Sequence, residues 1–243
     1  MPEPIVLEVC IDSVQGLAAA IEGGADRIEL CSALEIGGLT PSAGLLRAAT
    51  NSPVPVVAMI RPRGGDFCFD EIEARLMLEE IDAVAAAGLQ GVVLGASLQD
   101  GRLDLRLLER LVRRAADQGL RCTLHRAIDL CPDLGEASRQ AVDLGFERIL
   151  TSGGARSAPD GLDGLRRCFD AAAGRIAIMP GAGIGADNVH LLRGQLPLTD
   201  VHASCSEPVP EASPEVRAFG FDTGGRRRTS RTKVAALKAK LQA

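Results

Sequence analysis

The 243-residue chain contains no tryptophan, no tyrosine and only six phenylalanines. Single-strand nucleic-acid binders need aromatic platforms on which bases stack, and the near-absence of aromatics argues against that class. The net charge of −5 argues the same way, because nucleic-acid partners select basic surfaces. No stretch approaches the roughly 18 consecutive apolar residues that span a bilayer. The opening MPEPIVLEV lacks the basic region of a secretory leader. Neither nucleic acid nor membrane is therefore expected as a partner. The seven cysteines include no CxxC and no MxCxxC pair, and an odd number without paired spacing suits a reducing compartment. A cytoplasmic location is expected. Histidine occurs three times and H-E-x-x-H not at all.

What is present is a punctuation repeated along the whole chain. Runs of about four apolar residues end in a charged, polar or glycine residue: LEVCID at Glu8, RIELCS at Glu29, VVAMIRPR at Arg61 and Arg63, and GVVLGA at Gly95. The series continues with CTLHRAID at His125, Arg126 and Asp129, RILTSGG at Ser152, AIMPGAG at Gly181 and Gly183, and DVHAS at His202. Strands without alternation are buried on both faces and therefore parallel. Eight such strands alternating with helices predict a single-domain α/β fold, the (β/α)8 TIM barrel, which takes about 250 residues and carries its chemistry at the strand ends.

The helix-to-strand joints share one grammar, seen in EGGADRIEL, AAGLQGVVLG, DQGLRCTLH and DLGFERILT. In each a helix ends at glycine, which adopts the left-handed cap without steric cost. The first strand is expected near Ile5 to Val9, and helices from Asp70 to Ala87 and from Asp104 to Ala116. A helix within 230–243 should close the barrel. Residues 206–228, rich in Pro and Gly and without period, are expected to form a long loop after the eighth strand.

Candidate chemistry gathers at the strand ends. Arg61, Arg63 and Arg126 form a basic set in an acidic protein, and guanidinium forks suit carboxylate or phosphate. Ser152, Gly153 and Gly154 after the sixth strand, and Gly181 and Gly183 after the seventh, place small residues where backbone N–H groups can meet an anion. Glu8, Glu29, His125, Asp129 and His202 are the candidates for proton transfer, and the glutamates and histidines are also candidates to hold a cation. His190 falls within an expected helix. Internal pairing of the arginines with these carboxylates is the alternative, since buried charges require partners.

Cys10 and Cys31 each lie two residues beyond a glutamate, on neighbouring strands. Side chains two apart on a strand share a face, so both thiols should point as Glu8 and Glu29 do. Thiolates prefer soft monovalent ions; free cysteine is equally at home as a small buried hydrophobe.

LEVCIDS, EGGADRIELCS, GGLTPS, MIRPRGGDF, LHRAID, LTSGGA, MPGAGI followed by ADN, and VHAS resemble, in order and spacing from about Leu7 to Ala203, the CutC copper-homeostasis family. The resemblance implies a TIM barrel, a cytoplasmic location, self-association into a homo-oligomer and a role in copper handling. It implies Cys31 as a copper(I) ligand, with Cys10 a partner by geometry and binding weak. Segment 206–228 departs from the family pattern. The alternative expectation from the residues is a barrel enzyme, an isomerase or lyase, acting on a small anionic or phosphorylated metabolite.

Overall fold

The structure, a computed structural model, describes residues 4–222 and 224–242. Residue 223, within the expected loop, and residue 243, in the expected closing helix, lie outside the described residues. The chain alternates β1 (Val6–Ile11), α1 (Val14–Glu22), β2 (Arg27–Leu30), α2 (Ala43–Ala49), β3 (Val56–Met59), α3 (Glu71–Ala86), β4 (Gly91–Leu94) and α4 (Leu105–Asp117). It continues with β5 (Arg121–Leu124), α5 (Leu134–Leu144), β6 (Arg148–Thr151), α6 (Leu162–Ala172), β7 (Ala177–Pro180), α7 (Val189–Arg193) and β8 (Asp200–Ala203). The eight strands pair in parallel in the order β7-β6-β5-β4-β3-β2-β1-β8. The first strand pairs with the last, Glu8 opposite His202, so the sheet curls into a nearly closed barrel. This is the expected (β/α)8 TIM barrel.

Helix starts follow side-chain chemistry. Asp70 accepts from the amides of Ile72 and Glu73, and Glu73 bonds back to the Asp70 amide, completing a capping box at α3. Asp104 caps α4 through Leu107 N. The four joint glycines, Gly24, Gly88, Gly119 and Gly145, all have φ between +72° and +90°. Another residue would be strained there by about 1–2 kcal/mol.

Alternation along each strand divides the buried residues into two sets. Leu7, Val9, Ile11, Ile28, Leu30, Ala58, Val92 and Leu124 join helix residues such as Leu17, Leu108 and Leu237 in the outer core. Their neighbours in sequence face the barrel axis. There Cys31, Val57, Met59 and Val93 make a small apolar cluster, and buried polar side chains such as Glu8, Arg27, Glu29, Arg148 and His202 share the axis with it.

Segment 206–228 is not the unbroken loop expected. It contains β9 (Ser206–Pro208), which pairs antiparallel with β10 (Arg227–Thr229), and the short α8 (Pro214–Ala218) between them. Three-residue strands reading SEP and RRT carry no period of their own; the ladder between them supplies the structure. α9 (Arg231–Gln242) follows and closes the barrel, burying Val234, Leu237 and Leu241. Gly23 lets it approach α1, since a Cβ there would lie 2.6 Å from that of Val234. Among the described residues no helix is long and apolar enough to cross a membrane.

Candidate functional site

The lower part of the barrel axis is an ionic network. Arg27 donates from Nε to Glu8 Oε2 at 2.5 Å and from Nη2 to Asp200 Oδ1 at 2.7 Å. Arg148 donates to the same Asp200 oxygen at 3.2 Å and to Thr123 Oγ1 at 3.2 Å. All these side chains are buried. The two guanidiniums and two carboxylates balance, as charges removed from water must. The expectation that strand-end charges pair internally is met here by arginines other than those singled out. Arg27, Arg148 and Asp200 stand two residues before Glu29, Leu150 and His202. The two-residue strand period would have placed them in the same lumen.

Above this layer, β1, β2 and β8 bring Glu8, Cys10, Glu29 and His202 together. His202 Nδ1 lies 2.9 Å from Glu8 Oε1, and Nε2 lies 3.7 Å from Glu29 Oε2. The Cys10 thiol, the Glu29 carboxylate and the His202 ring have ligand atoms all within 4.8 Å of one another. Burial works to raise the Glu8 pKa, but the His202 hydrogen bond and the Arg27 charge outweigh it and hold the carboxyl at about 2. Burial prevails at Glu29, opposed by His202 and reinforced by Glu8, and lifts it to about 7. At His202 burial disfavours the imidazolium, yet the acidic neighbours Cys10, Glu29 and Glu8 push its pKa well above the usual value.

Cys31 faces the axis but is not in that donor group. Ladder register explains the difference, because Cys10 stands opposite Glu29, while Cys31 lies one layer higher, packed against Met59, Val57 and Val93. Gly38 covers it; a Cβ there would sit 3.1 Å from the Cys31 sulfur. Burial first, then the Glu29 charge, raises the Cys31 thiol well above its ordinary pKa.

Across the axis, His125 and Arg61 line a cavity of about 180 Å³ together with Glu29, Met59, Phe67, Leu150, Cys10 and His202. His125 Nδ1 accepts from the Ala127 amide at 3.1 Å. Gly95 makes room for its ring, since a Cβ would lie 2.5 Å from both Cε1 and Nδ1. Burial, aided by the Arg61 charge, lowers the His125 pKa to about 3, so the ring is neutral. Arg61 donates to the carbonyls of Ile36, Gly38 and Gly65. Its guanidinium carbon lies 4.9 Å from the Phe67 ring centre, and that ring is 4.7 Å from His125.

The structure brings only part of the expected anion-binding set to this cavity. Arg63 turns outward; its side chain is 38% exposed and pairs with Glu73 at 2.5 Å and Asp66 at 3.0 Å. Arg126 reaches the cavity edge but pairs with Asp129 at 2.8 Å and donates to Ser152 Oγ. The loop Ser152–Gly153–Gly154 has no free amides for an anion. Ser152 N and Gly154 N donate to the Asp129 carboxylate and Gly153 N to Thr151 Oγ1. Asp129 also accepts from Thr151 Oγ1 and Ser152 Oγ; it ties one strand end to the next instead of offering a base to the cavity. The physical reason is local, for a carboxylate one strand away is a better acceptor than a diffusing anion. Gly153 is required by packing, because a Cβ there would meet the Gly161 carbonyl. Gly181 admits Leu150 and His202, and Gly183 turns the chain at φ +71°.

A second hollow of about 230 Å³ lies beyond Cys10, under the β9–β10 hairpin, with Asp12, Leu34, Arg227 and Thr229 in its walls. Cys10 and Leu34 belong to both spaces.

The CutC family model matches residues 5–207. A family protein CutC of Rhizobium meliloti is 56% identical over 239 residues, covering 98% of this chain and 97% of that one. Another, from Sinorhizobium medicae, is 54% identical over 98% of this chain and 97% of the relative. Among solved structures, the putative copper homeostasis protein CutC from Streptococcus agalactiae superposes with a TM-score of 0.77 at 30% identity, covering 82% of this chain and 98% of that one.

Proposed function

The chain belongs to the CutC family, and on that footing we propose that it serves copper homeostasis by holding copper(I) at the barrel mouth through Cys10 and His202, with Glu29 beside them. One observation carries the reading: the ligand atoms of Cys10, Glu29 and His202 lie within 4.8 Å of one another in a buried pocket. Thiolate and imidazole suit copper(I) better than carboxylate does. Glu8 takes His202 Nδ1 and leaves Nε2 to face the thiol and Glu29, the arrangement in which an outer carboxylate orients a ligating imidazole. Affinity is weak, because only one thiol belongs to the group and the His202 proton must leave before the ring can ligate. Binding therefore strengthens as pH rises.

Seven unpaired cysteines support a reducing, cytoplasmic setting. Phe219 and Phe221, 77% and 80% exposed, offer apolar surface for self-association.

The test is a copper(I) titration against a competing chromophoric chelator. Cys10→Ser and His202→Gln should each weaken binding by about tenfold or more, the range expected when a ligand or its support is lost. Cys31→Ser should change it little. Unchanged affinity in Cys10→Ser would exclude this site.

A further inference from the structure

We propose that the 180 Å³ cavity that Arg61 and His125 share with the Cys10, Glu29 and His202 group binds a small organic monocarboxylate, its oxygens accepting from Arg61 Nε–H and His125 Nε2–H. Among the described residues, five buried side-chain polar atoms have no hydrogen-bond partner. Three of them, Arg61 Nε, His125 Nε2 and Glu29 Oε1, belong to residues lining this one cavity. Native interiors satisfy buried polar groups nearly everywhere, so the two unpartnered donors, Arg61 Nε and His125 Nε2, mark a place where an acceptor completes the bonding.

Arg61 is the stronger half of the argument. It is only 5% exposed, and among the described residues no carboxylate lies within ion-pair distance of it. The three carbonyls on its terminal nitrogens orient the guanidinium without neutralising it. Every other buried arginine, Arg27 and Arg148, has an acidic partner. A buried cation without a counter-ion is costly, and an anion in the adjoining space removes that cost.

His125 adds the second donor. Its Nδ1 accepts the Ala127 amide, which in a neutral imidazole places the proton on Nε2. On this cavity-lining residue Nε2 therefore carries N–H, not a lone pair. Its place is held by Gly95 on one side and Phe67 on the other.

The chemistry of the walls selects the class of anion. The amides of the 152–154 loop are already taken by Asp129 and Thr151, leaving too few donors for phosphate. Glu29 on the same wall disfavours a dianion. Met59, Phe67, Leu34 and Leu150 supply apolar surface for a short alkyl body. At roughly 30 Å³ per water, the space holds a ligand displacing about six waters. The proposal uses Arg61 and His125, which the copper reading does not need.

The experiment is isothermal titration of the full chain at neutral pH with pyruvate, isobutyrate and 2-oxoglutarate, with isobutyramide and inorganic phosphate as controls. Pyruvate or isobutyrate should bind, and the dianion 2-oxoglutarate, phosphate and the neutral amide should not. Arg61→Gln and His125→Phe should each weaken binding by about tenfold or more, the loss expected for a hydrogen bond to a charged group. Copper(I) affinity should be unchanged in folded Arg61→Gln, which separates this proposal from the copper reading. Circular dichroism checks that each variant is folded; should Arg61→Gln not fold, Leu150→Phe, which enlarges a side chain of the cavity wall and leaves both donors in the sequence, should abolish binding instead. Absence of monocarboxylate binding at millimolar concentration, equal binding of phosphate or the amide, or unchanged affinity in the folded variants overturns the proposal.

Discussion

His202 Nδ1 lies 2.9 Å from Glu8 Oε1, a hydrogen bond between the last barrel strand and the first across 194 residues of sequence. The same glutamate accepts from Arg27, so the closure of the barrel and the charge balance of its axis share one carboxylate. The seam is thus held by buried polar chemistry as well as by the β1–β8 ladder.

Replacing Arg27 with Met leaves Glu8 buried without its guanidinium and Asp200 with Arg148 alone. Breaking a buried pair from one side costs about 3–5 kcal/mol. Urea denaturation should show a loss of that order, partly recovered by adding Glu8→Gln. A loss below about 1 kcal/mol, the scale of an exposed pair, would mean that the network is not as dry as described.

Glu8, His125 and Glu29 dominate the pH dependence of stability below about pH 7 in the metal-free protein, and their signs differ; His202, whose pKa is raised, adds stability that fades only as pH rises above 6.5. Glu8, held at about 2 against 4.5, contributes stability present above pH 4.5 and lost as pH falls toward 2. His125, lowered from 6.5 to about 3, contributes stability lost as pH falls from 6.5 to 3. Glu29, raised from 4.5 to about 7, acts oppositely, since the fold prefers its protonated form and gains as pH falls from 7 to 4.5. Urea midpoints should stay nearly level between pH 6.5 and 4.5 and drop steeply below. In Glu29→Gln the decline should begin at about pH 6.5. A Glu29→Gln profile parallel to the parent's would show that Glu29 ionises normally.

Gly95→Ala drives a methyl group into the His125 ring, whose Cε1 and Nδ1 lie 2.5 Å from the new Cβ position. Overpacking of this kind costs about 1–3 kcal/mol. Displacement of the ring should also shift the Ala127 amide resonance, because its bond to Nδ1 is disturbed. A change in stability within about 0.5 kcal/mol, as at an ordinary surface site, together with an unmoved amide would place the imidazole elsewhere.

Leu237 tests the closing helix. It is fully buried in the outer core on α9, beyond the span of the family match, which stops at residue 207. Leu237→Ala should destabilise by about 2–5 kcal/mol, the range for leucine deletion in a packed core. A much smaller loss would mean that α9 docks loosely and the barrel stands without it.

Much of this architecture is written locally. Four glycines at positive φ, acidic caps at Asp70 and Asp104 and apolar runs of four residues specify where helices stop and strands begin, because those preferences act within a few residues. Glu8, Glu29, His125 and His202 could be placed on or just after the strands for the same reason. The partners of each charge could not. Arg63 and Arg61 stand two residues apart in one motif, yet one pairs at the surface with Glu73 while the other is buried without a counter-ion. Asp129 fills the glycine loop that looked open to an anion. Cys10, not Cys31, joins the histidine, because ladder register sets Cys10 against Glu29. Local pattern decides element type, whereas the fate of a buried charge depends on which strands become neighbours when the ring closes, and only the folded barrel specifies that.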